Sequence, residues 1–147
     1  MKAVITIGAS ASGKSTWARD FISKNDNWVI VCRDDERTKL MGGTLDWSKW
    51  NWKREKEVTA MHCSSLELAA ANHQNVIVAD TNLNLDRLKE LKERLRKLGY
   101  KDISYKIFDI DEAEAIRRDA ARGKLAVGAN VIKQQMQKFN DMKKYMK

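Results

Sequence analysis

The stretch Gly8-Ala9-Ser10-Ala11-Ser12-Gly13-Lys14-Ser15-Thr16 lies between a short apolar run at residues 3–7 and a helical pattern that begins at Lys14. Glycines at the ends of such a loop let backbone N–H groups turn inward around phosphate oxygens, and the N-terminus of the following helix adds partial positive charge. The spacing of the glycines, the lysine and the serine is typical of a phosphate-binding loop (P-loop) between a strand and a helix. We therefore expect an α/β protein that binds a nucleotide.

Each residue type in the P-loop suits a different part of ATP and its Mg²⁺. Lys14 is expected to reach the β and γ phosphates, and the Ser15 hydroxyl is expected to bind the Mg²⁺ that bridges them. Thr16 could instead cap or pack the first helical turn. The nucleotide-binding set predicted from the loop is Gly8, Ala11, Ser12, Gly13, Lys14, Ser15 and Thr16.

Strand-like and helical patterns alternate along the rest of the chain. Runs of β-branched and aromatic residues predict strands at residues 3–7, 28–32, 76–79 and 103–108. Helices are predicted at residues 14–23, 35–41, 54–72, 86–98, 112–122 and 131–147. This alternation predicts an α/β P-loop NTPase/kinase fold, with a parallel sheet of about four strands and helices on both faces. One domain over residues 1–147 is expected, because the chain has no internal repeat or linker.

The composition limits the partners and the location. A formal net charge of +8 and a sequence pI near 9.5 suit a partner that carries phosphates. No apolar run reaches the roughly 18 residues of a spanning helix, and no secretion signal is recognised, so we expect a cytoplasmic protein without membrane contact. Cys32 and Cys63 lack metal-ligand spacing, and His62 and His73 lack a partner motif, so all four are interpreted as ordinary packing or polar residues.

A carboxylate ends the third predicted strand, where Asp80 follows Val76-Ile77-Val78-Ala79. Ligands of parallel sheets bind at the carboxyl edge. Asp80 is therefore a candidate metal-site residue together with Ser15, because it could accept hydrogen bonds from the water shell of Mg²⁺ or from the Ser15 hydroxyl. The alternative is a local cap of the following loop at residues 81–84.

The second predicted strand leads into Arg33-Asp34-Asp35-Glu36-Arg37 at the same edge. An aspartate there can accept the proton of a substrate hydroxyl, so Asp34 is the candidate general base of a phosphoryl transfer. Arg37 lies one helical turn later and could orient that carboxylate or bind an incoming phosphate. Asp34 could instead be the N-cap of the helix.

Arg118 and Arg122 are four residues apart, which places them on one face of a predicted helix. They could fold over ATP as a lid within residues 112–128 and offset negative charge on the transferring phosphoryl group. The alternative is a solvated basic face on which Arg118 pairs with Glu114.

Taken together, these motifs resemble the kinase domain of the phage polynucleotide kinases, which phosphorylate 5′-hydroxyl ends of DNA and RNA. The segments that carry the resemblance are Ile5-Thr6-Ile7-Gly8, Ser12-Gly13-Lys14-Ser15-Thr16-Trp17-Ala18-Arg19, Arg33-Asp34-Asp35 with Arg37, Asp80-Thr81-Asn82-Leu83-Asn84, and Arg118 with Arg122-Gly123. The resemblance implies ATP and Mg²⁺ as cofactors. The catalytic residues it implies are Asp34, Lys14, Arg37 and Arg122. It also implies that Arg37 contacts a phosphate near the reacting end, that Asp80 supports the metal site, and that Arg118 and Arg122 form the lid over ATP.

Three features depart from that family. Ala9-Ser10-Ala11 replaces its proline and glycine, which should make the loop less rigid without removing a required donor. No 3′-phosphatase domain is expected, and Asp109-Ile110-Asp111 is interpreted as a strand end and helix cap. The segment Trp47-Ser48-Lys49-Trp50-Asn51-Trp52-Lys53-Arg54 is unusually rich in tryptophan. It could bind unstacked bases and phosphates, or it could serve packing.

The resulting hypothesis is an ATP-dependent polynucleotide 5′-hydroxyl kinase of nucleic acid repair, located in the host cytoplasm if a phage encodes it. Its partners would be ATP and 5′-hydroxyl DNA or RNA, and a homo-oligomer is considered. One alternative is a P-loop kinase for a small hydroxyl acceptor such as a nucleoside, a sugar or an antibiotic. Another is a nucleotide-dependent interaction protein without transferase activity.

Overall fold

A computed structural model describes residues 1–146 and contains one parallel sheet of four strands. The strands are β1 (Lys2–Ile7), β2 (Trp28–Val31), β3 (Asn75–Val78) and β4 (Asp102–Ile107). Their order in the sheet is β2-β3-β1-β4, and each neighbouring pair is parallel. The predicted fold class is confirmed. Because all four strands run the same way, the P-loop, Arg33 and Asp80 all follow strands at one edge of the sheet.

Six α-helices connect and cover these strands within the described residues. They are α1 (Lys14–Lys24), α2 (Arg33–Leu40), α3 (Glu55–Ala71), α4 (Leu85–Lys97), α5 (Glu112–Ala120) and α6 (Ala129–Met146). Short 3₁₀ turns occur at Trp47–Lys49, Trp52–Arg54 and Gly123–Leu125. The predicted end of the last helix, Lys147, lies outside the described residues.

Alternating strand side chains divide the core between the two faces of the sheet. On one face, Ile5, Val76 and Val78 pack with apolar residues of α3, α4, α5 and α6. On the other face, Ile77 packs with Ala18 and other residues of α1. Both faces are therefore covered, as parallel sheets require.

Two helices differ from their predicted bounds at positions that matter for the cleft. Helix α2 begins at Arg33 with Cys32 as its N-cap, so Asp34 lies inside the first turn and is not the cap. Helix α5 ends at Ala120, so Arg122 lies in the turn that follows it. Among the described residues, no helix combines the length and apolarity needed to cross a bilayer.

Candidate active site

A cleft of about 830 Å³ opens at the carboxyl edge of the sheet. It is lined by the P-loop, the end of β3, α2, the tryptophan-rich segment, the end of α5 with the turn after it, and the start of α6. Of the predicted site residues, Ala11, Gly13, Lys14, Ser15, Thr16, Asp34, Arg37, Asp80, Arg118 and Arg122 line this cleft. Residues from four separate parts of the sequence thus meet in one space. Gly8 and Ser12, the other two predicted nucleotide-binding residues, are buried and do not line the cleft.

Lys14 is the most deeply buried cation of the cleft, with 8% of its surface exposed. Its Nζ donates to the Ala9 carbonyl oxygen at 2.5 Å and to the Ser12 Oγ at 3.4 Å. Burial lowers the pKa of Lys14 to about 8, although the carboxylates of Asp80 and Asp34 favour its charged form. A buried ammonium group that is only partly compensated by carboxylates is suited to bind an anion such as a polyphosphate.

Glycine is required at the two ends of the P-loop for different structural reasons. Gly13 has a φ of 102°, a left-handed conformation that side chains rarely adopt. At Gly8, a Cβ would lie 2.8 Å from the Ser12 Oγ and 2.9 Å from the Phe108 Cβ. The Gly8 N–H donates to the Thr81 carbonyl oxygen at 3.1 Å. Close packing, rather than an N–H turned toward phosphate as expected from the sequence, therefore explains Gly8.

The alanine and serine that replace the usual loop residues have visible consequences. Ala11 has a φ of 61°, in the region that favours glycine. The Ser10 N–H donates to the Gln135 Oε1 at 2.8 Å, which ties the P-loop to α6. Sequence reasoning did not identify Gln135, because its partner lies 125 positions away along the chain.

Asp80 links the end of β3 to two other elements. Its Oδ1 accepts the Arg33 backbone N–H at 2.7 Å, and its Oδ2 lies 2.9 Å from the His62 Nε2. Its carboxylate partners are thus on α2 and α3 rather than in the loop at 81–84, where Asn84 caps α4 instead. His62, interpreted from the sequence as an ordinary polar or packing residue, is buried against Asp80, a contact that no sequence motif indicated.

Asp34 and Arg37 form an ion pair at the wall of the cleft. The Arg37 Nη1 donates to the Asp34 Oδ1 at 2.5 Å, and 49% of the Asp34 side chain remains exposed. Glu55 of α3 accepts from the Arg37 Nε at 2.8 Å and from the Arg33 Nη2 at 3.1 Å. No local pattern in the sequence indicated Glu55, which accepts hydrogen bonds from both arginines. Asp34 is therefore oriented by a fixed guanidinium while its carboxylate stays accessible.

The two arginines predicted as a lid both line the cleft. The Arg118 Nε donates to the Glu114 Oε1 at 2.9 Å, which is the pairing expected from the alternative interpretation. The Arg122 Nη1 lies 3.6 Å from the Oδ1 of the buried Asp119. The Asp119 carboxylate also accepts hydrogen bonds from the backbone N–H groups of Val127 and Gly128. Asp119 thereby fixes the turn that brings Arg122 to the cleft.

The residues near Lys14 fit Mg²⁺ as an ion held by nucleotide phosphates and water. Ser15 offers an exposed hydroxyl at the start of α1, and each Asp80 oxygen retains acceptor capacity beside its one protein partner. Hydroxyl and carboxylate oxygens are the ligand types that Mg²⁺ uses at phosphate sites. No group of three or more His, Cys, Asp or Glu residues within 1–146 could hold a metal ion by itself.

A family model described as an AAA domain matches residues 4–142. The chain belongs to this AAA domain family. The matched range includes the P-loop, most of the sheet and most of α6, and it contains all the residues that line the cleft.

This AAA domain has a relative among viral proteins. It is 28% identical over 142 residues to a protein of Autographa californica nuclear polyhedrosis virus named as a bifunctional polynucleotide kinase/RNA ligase. The alignment covers 92% of this chain and 20% of the viral protein. The chain thus spans about a fifth of the length of that relative.

Solved structures show the same fold. A chain of the Pnkp1/Rnl/Hen1 RNA repair complex superimposes with a TM-score of 0.82 and 34% identity, over 98% of this chain and 45% of that one. A chain from another structure of a Pnkp1/Rnl/Hen1 complex gives a TM-score of 0.68 and 38% identity, over 80% and 38% of the two chains. A gluconokinase from Sinorhizobium meliloti 1021 is 15% identical with a TM-score of 0.55, over 93% of this chain and 74% of the gluconokinase, which supports the fold alone.

Proposed function

We propose that this chain transfers the γ-phosphate of ATP to the 5′-hydroxyl end of a DNA or RNA strand. The observation that carries the proposal is that one cleft is lined both by Lys14, a buried cation of the P-loop, and by Asp34, a carboxylate that remains accessible. The names of the viral relative and of the RNA repair complex favour a polynucleotide as the acceptor. Because the chain spans less than half of each of these proteins, the activity is proposed here for the domain.

Binding of ATP is proposed to use the P-loop residues in their observed positions. Lys14 would exchange its contact with the Ala9 carbonyl oxygen for the β and γ phosphates, which offer a stronger, charge-assisted hydrogen bond. Gly13, Ser15 and Thr16 lie at the start of α1, where backbone N–H groups and the helix dipole favour an anion. Ser15 and Asp80 would hold Mg²⁺, which neutralises charge on the phosphates.

The transfer step is proposed to need a proton acceptor and fixed positive charge. Asp34 would accept the proton of the 5′-hydroxyl group as the oxygen of that group bonds to the γ-phosphorus. The bond between the γ-phosphorus and the oxygen that bridges it to the β-phosphate breaks at the same time, and ADP leaves. Lys14 and Arg122 would stabilise the equatorial oxygens, with Arg118 beside them. Arg37 uses three of its five N–H donors on Asp34 and Glu55, so two remain for a phosphate of the acceptor strand.

Labelled ATP offered to several acceptors tests this proposal. The protein should phosphorylate 5′-hydroxyl DNA or RNA oligonucleotides much faster than free nucleosides or gluconate, and it should not label a 5′-phosphorylated oligonucleotide. Preferred transfer to a nucleoside or sugar would replace the proposal with a small-molecule kinase. ATP binding without transfer to any of these acceptors would favour an interaction protein.

Other features of the hypothesis stay predictions. They are the cytoplasmic location, the homo-oligomer, the single domain over residues 1–147 with its lid at 112–128, the absence of 3′-phosphatase activity, and phage origin. The names of the two solved complexes describe assemblies of different proteins, not copies of one chain.

A further inference from the structure

The three tryptophans of the segment after α2 have different environments. Trp50 is 7% exposed and packs with Leu45 and Val58 in a small apolar cluster. Trp47 is partly buried against the same cluster. Trp52 is 66% exposed, although it lines the cleft. Packing therefore explains Trp50, but it does not explain a large aromatic ring that remains in water beside a proposed active site.

The exposed ring of Trp52 is held in a defined orientation. It stacks on Trp47 with ring centroids 5.7 Å apart and an interplanar angle of 16°. Trp47 is fixed in turn, because its Nε1 donates to the Leu125 carbonyl oxygen at 3.2 Å and the Arg37 guanidinium lies 5.3 Å from its ring centroid. A flat aromatic surface that is rigid before binding loses little entropy when a ligand stacks on it.

This surface adjoins the residues proposed to handle the reacting end. Arg37 contacts both Asp34 and Trp47, so one side chain separates the proposed base from the aromatic stack. Three exposed cations, Lys49, Lys53 and Arg54, belong to the same short segment as Trp52. Aromatic faces interleaved with cations are the combination that binds single-stranded nucleic acid, since bases stack while phosphates are neutralised.

We propose that the open face of Trp52 stacks on an unpaired base of the acceptor strand, within its first two nucleotides from the 5′ end. This inference rests on the proposed function and assigns it a substrate class, namely ends whose terminal bases are free to leave a duplex. Trp47 is a positioning residue in this arrangement, because it supports Trp52 and is tied to the turn after α5.

The test compares Trp52→Ala with the wild-type protein on matched 5′-hydroxyl oligonucleotides that carry either normal bases or abasic sites at the first two positions. The wild-type protein should have a KM about tenfold lower for the oligonucleotide with bases, and Trp52→Ala should lose most of that difference while kcat and the KM for ATP stay unchanged. Trp52→Phe should restore part of it. Tyr145→Ala, which removes an exposed aromatic ring outside the cleft, should leave the difference intact.

Two outcomes would overturn the assignment. If the KM difference between normal and abasic oligonucleotides is equal in the wild type and Trp52→Ala, then Trp52 does not contact the bases. If the KM for ATP is raised in Trp52→Ala, then the adenine of ATP, rather than a base of the acceptor strand, stacks on Trp52. Binding of the same labelled oligonucleotides without ATP separates this inference from the proposed function. Suppose that neither the wild type nor Trp52→Ala transfers phosphate, but that the wild type binds the oligonucleotide with bases more tightly and Trp52→Ala does not. The stacking of Trp52 on a base would then be supported, and the kinase assignment would be contradicted.

Discussion

At the scale of single residues, Lys14 combines burial with charge. Its side chain is largely withdrawn from water, and its hydrogen-bond acceptors within the protein are one carbonyl and one hydroxyl oxygen. Desolvation disfavours the charged form of an amine, which is why its pKa is lowered to about 8. Bound phosphates would act in the opposite direction, because nearby negative charge raises the pKa of an amine. ATP binding and the protonation of Lys14 should therefore be coupled.

This coupling predicts that ATP affinity falls as pH rises above about 8. Below that pH, Lys14 is already protonated in the free protein, so binding takes up no proton. Above it, binding must take up a proton, and affinity should decline toward about tenfold per pH unit. Titration calorimetry between pH 7 and 9.5 measures this, with Lys14→Met as the control that should bind weakly and without the decline. A wild-type profile as flat as that of Lys14→Met would contradict the coupling.

At the scale of elements, the Glu55 carboxylate links α3 to two arginines of α2. Glu55 accepts hydrogen bonds from Arg33 and Arg37, and three quarters of its side chain is buried. Partial burial opposes ionisation, but the hydrogen bonds from Arg37 and Arg33 outweigh it and lower the pKa of Glu55 below 4.5. The helix that carries Asp34 is thus anchored to the helix that carries His62.

Replacing Glu55 should reveal this anchor as a pH-dependent loss of stability. At pH 7, Glu55→Gln should lower the free energy of unfolding by about 1–3 kcal/mol, because two arginines lose their charged acceptor. Since the folded-state pKa is depressed, the stabilisation is fully present above pH 4.5 and is lost as pH falls through the folded-state pKa. Urea unfolding from pH 7 downward should therefore show the two proteins converging in acid.

A matched change on the same helix provides the control. Glu57 is exposed on α3, so Glu57→Gln should unfold with nearly the wild-type free energy. Equal losses in the two variants, or a Glu55→Gln deficit that persists unchanged in acid, would mean that the bridge to Arg33 and Arg37 does not hold α2.

Local patterns in the sequence predicted the helices and strands and most of the residues that line the cleft, but they did not predict the contacts between elements. Apolar runs predicted the strand ends to within a residue or two, because strands of a parallel sheet that is covered on both faces are nearly continuous apolar runs. The N-cap of α2 was not predicted correctly, because aspartate is a preferred N-cap residue and cysteine is not, yet Cys32 rather than Asp34 occupies that position. His62, Glu55 and Gln135 were missed because their partners lie 18 or more positions away in the chain, beyond any local pattern.

At the scale of the whole molecule, the fold separates two kinds of binding surface within one cleft. The P-loop and the arginines near α5 offer buried or fixed cations to a polyphosphate, whereas α2 and the tryptophan-rich segment offer a carboxylate, cations and aromatic rings. The net charge of +8 favours approach of a polyanionic strand to either surface. In the proposed reaction, Asp34 would accept the proton of a hydroxyl group bound on the second surface as that group meets a phosphate bound on the first.

Transfer of labelled γ-phosphate to a 5′-hydroxyl oligonucleotide by the wild type and Asp34→Asn, with ATP affinity measured in parallel, is the most direct test of this arrangement. Asparagine preserves the shape of the side chain but removes its charge and most of its basicity. We expect transfer to fall by roughly a hundredfold or more, while the fold and the Kd for ATP stay near the wild-type values. A folded Asp34→Asn protein that binds ATP and phosphorylates the 5′ end at close to the wild-type rate would contradict the proposed role of Asp34. Absence of transfer by the wild-type protein would contradict the function itself.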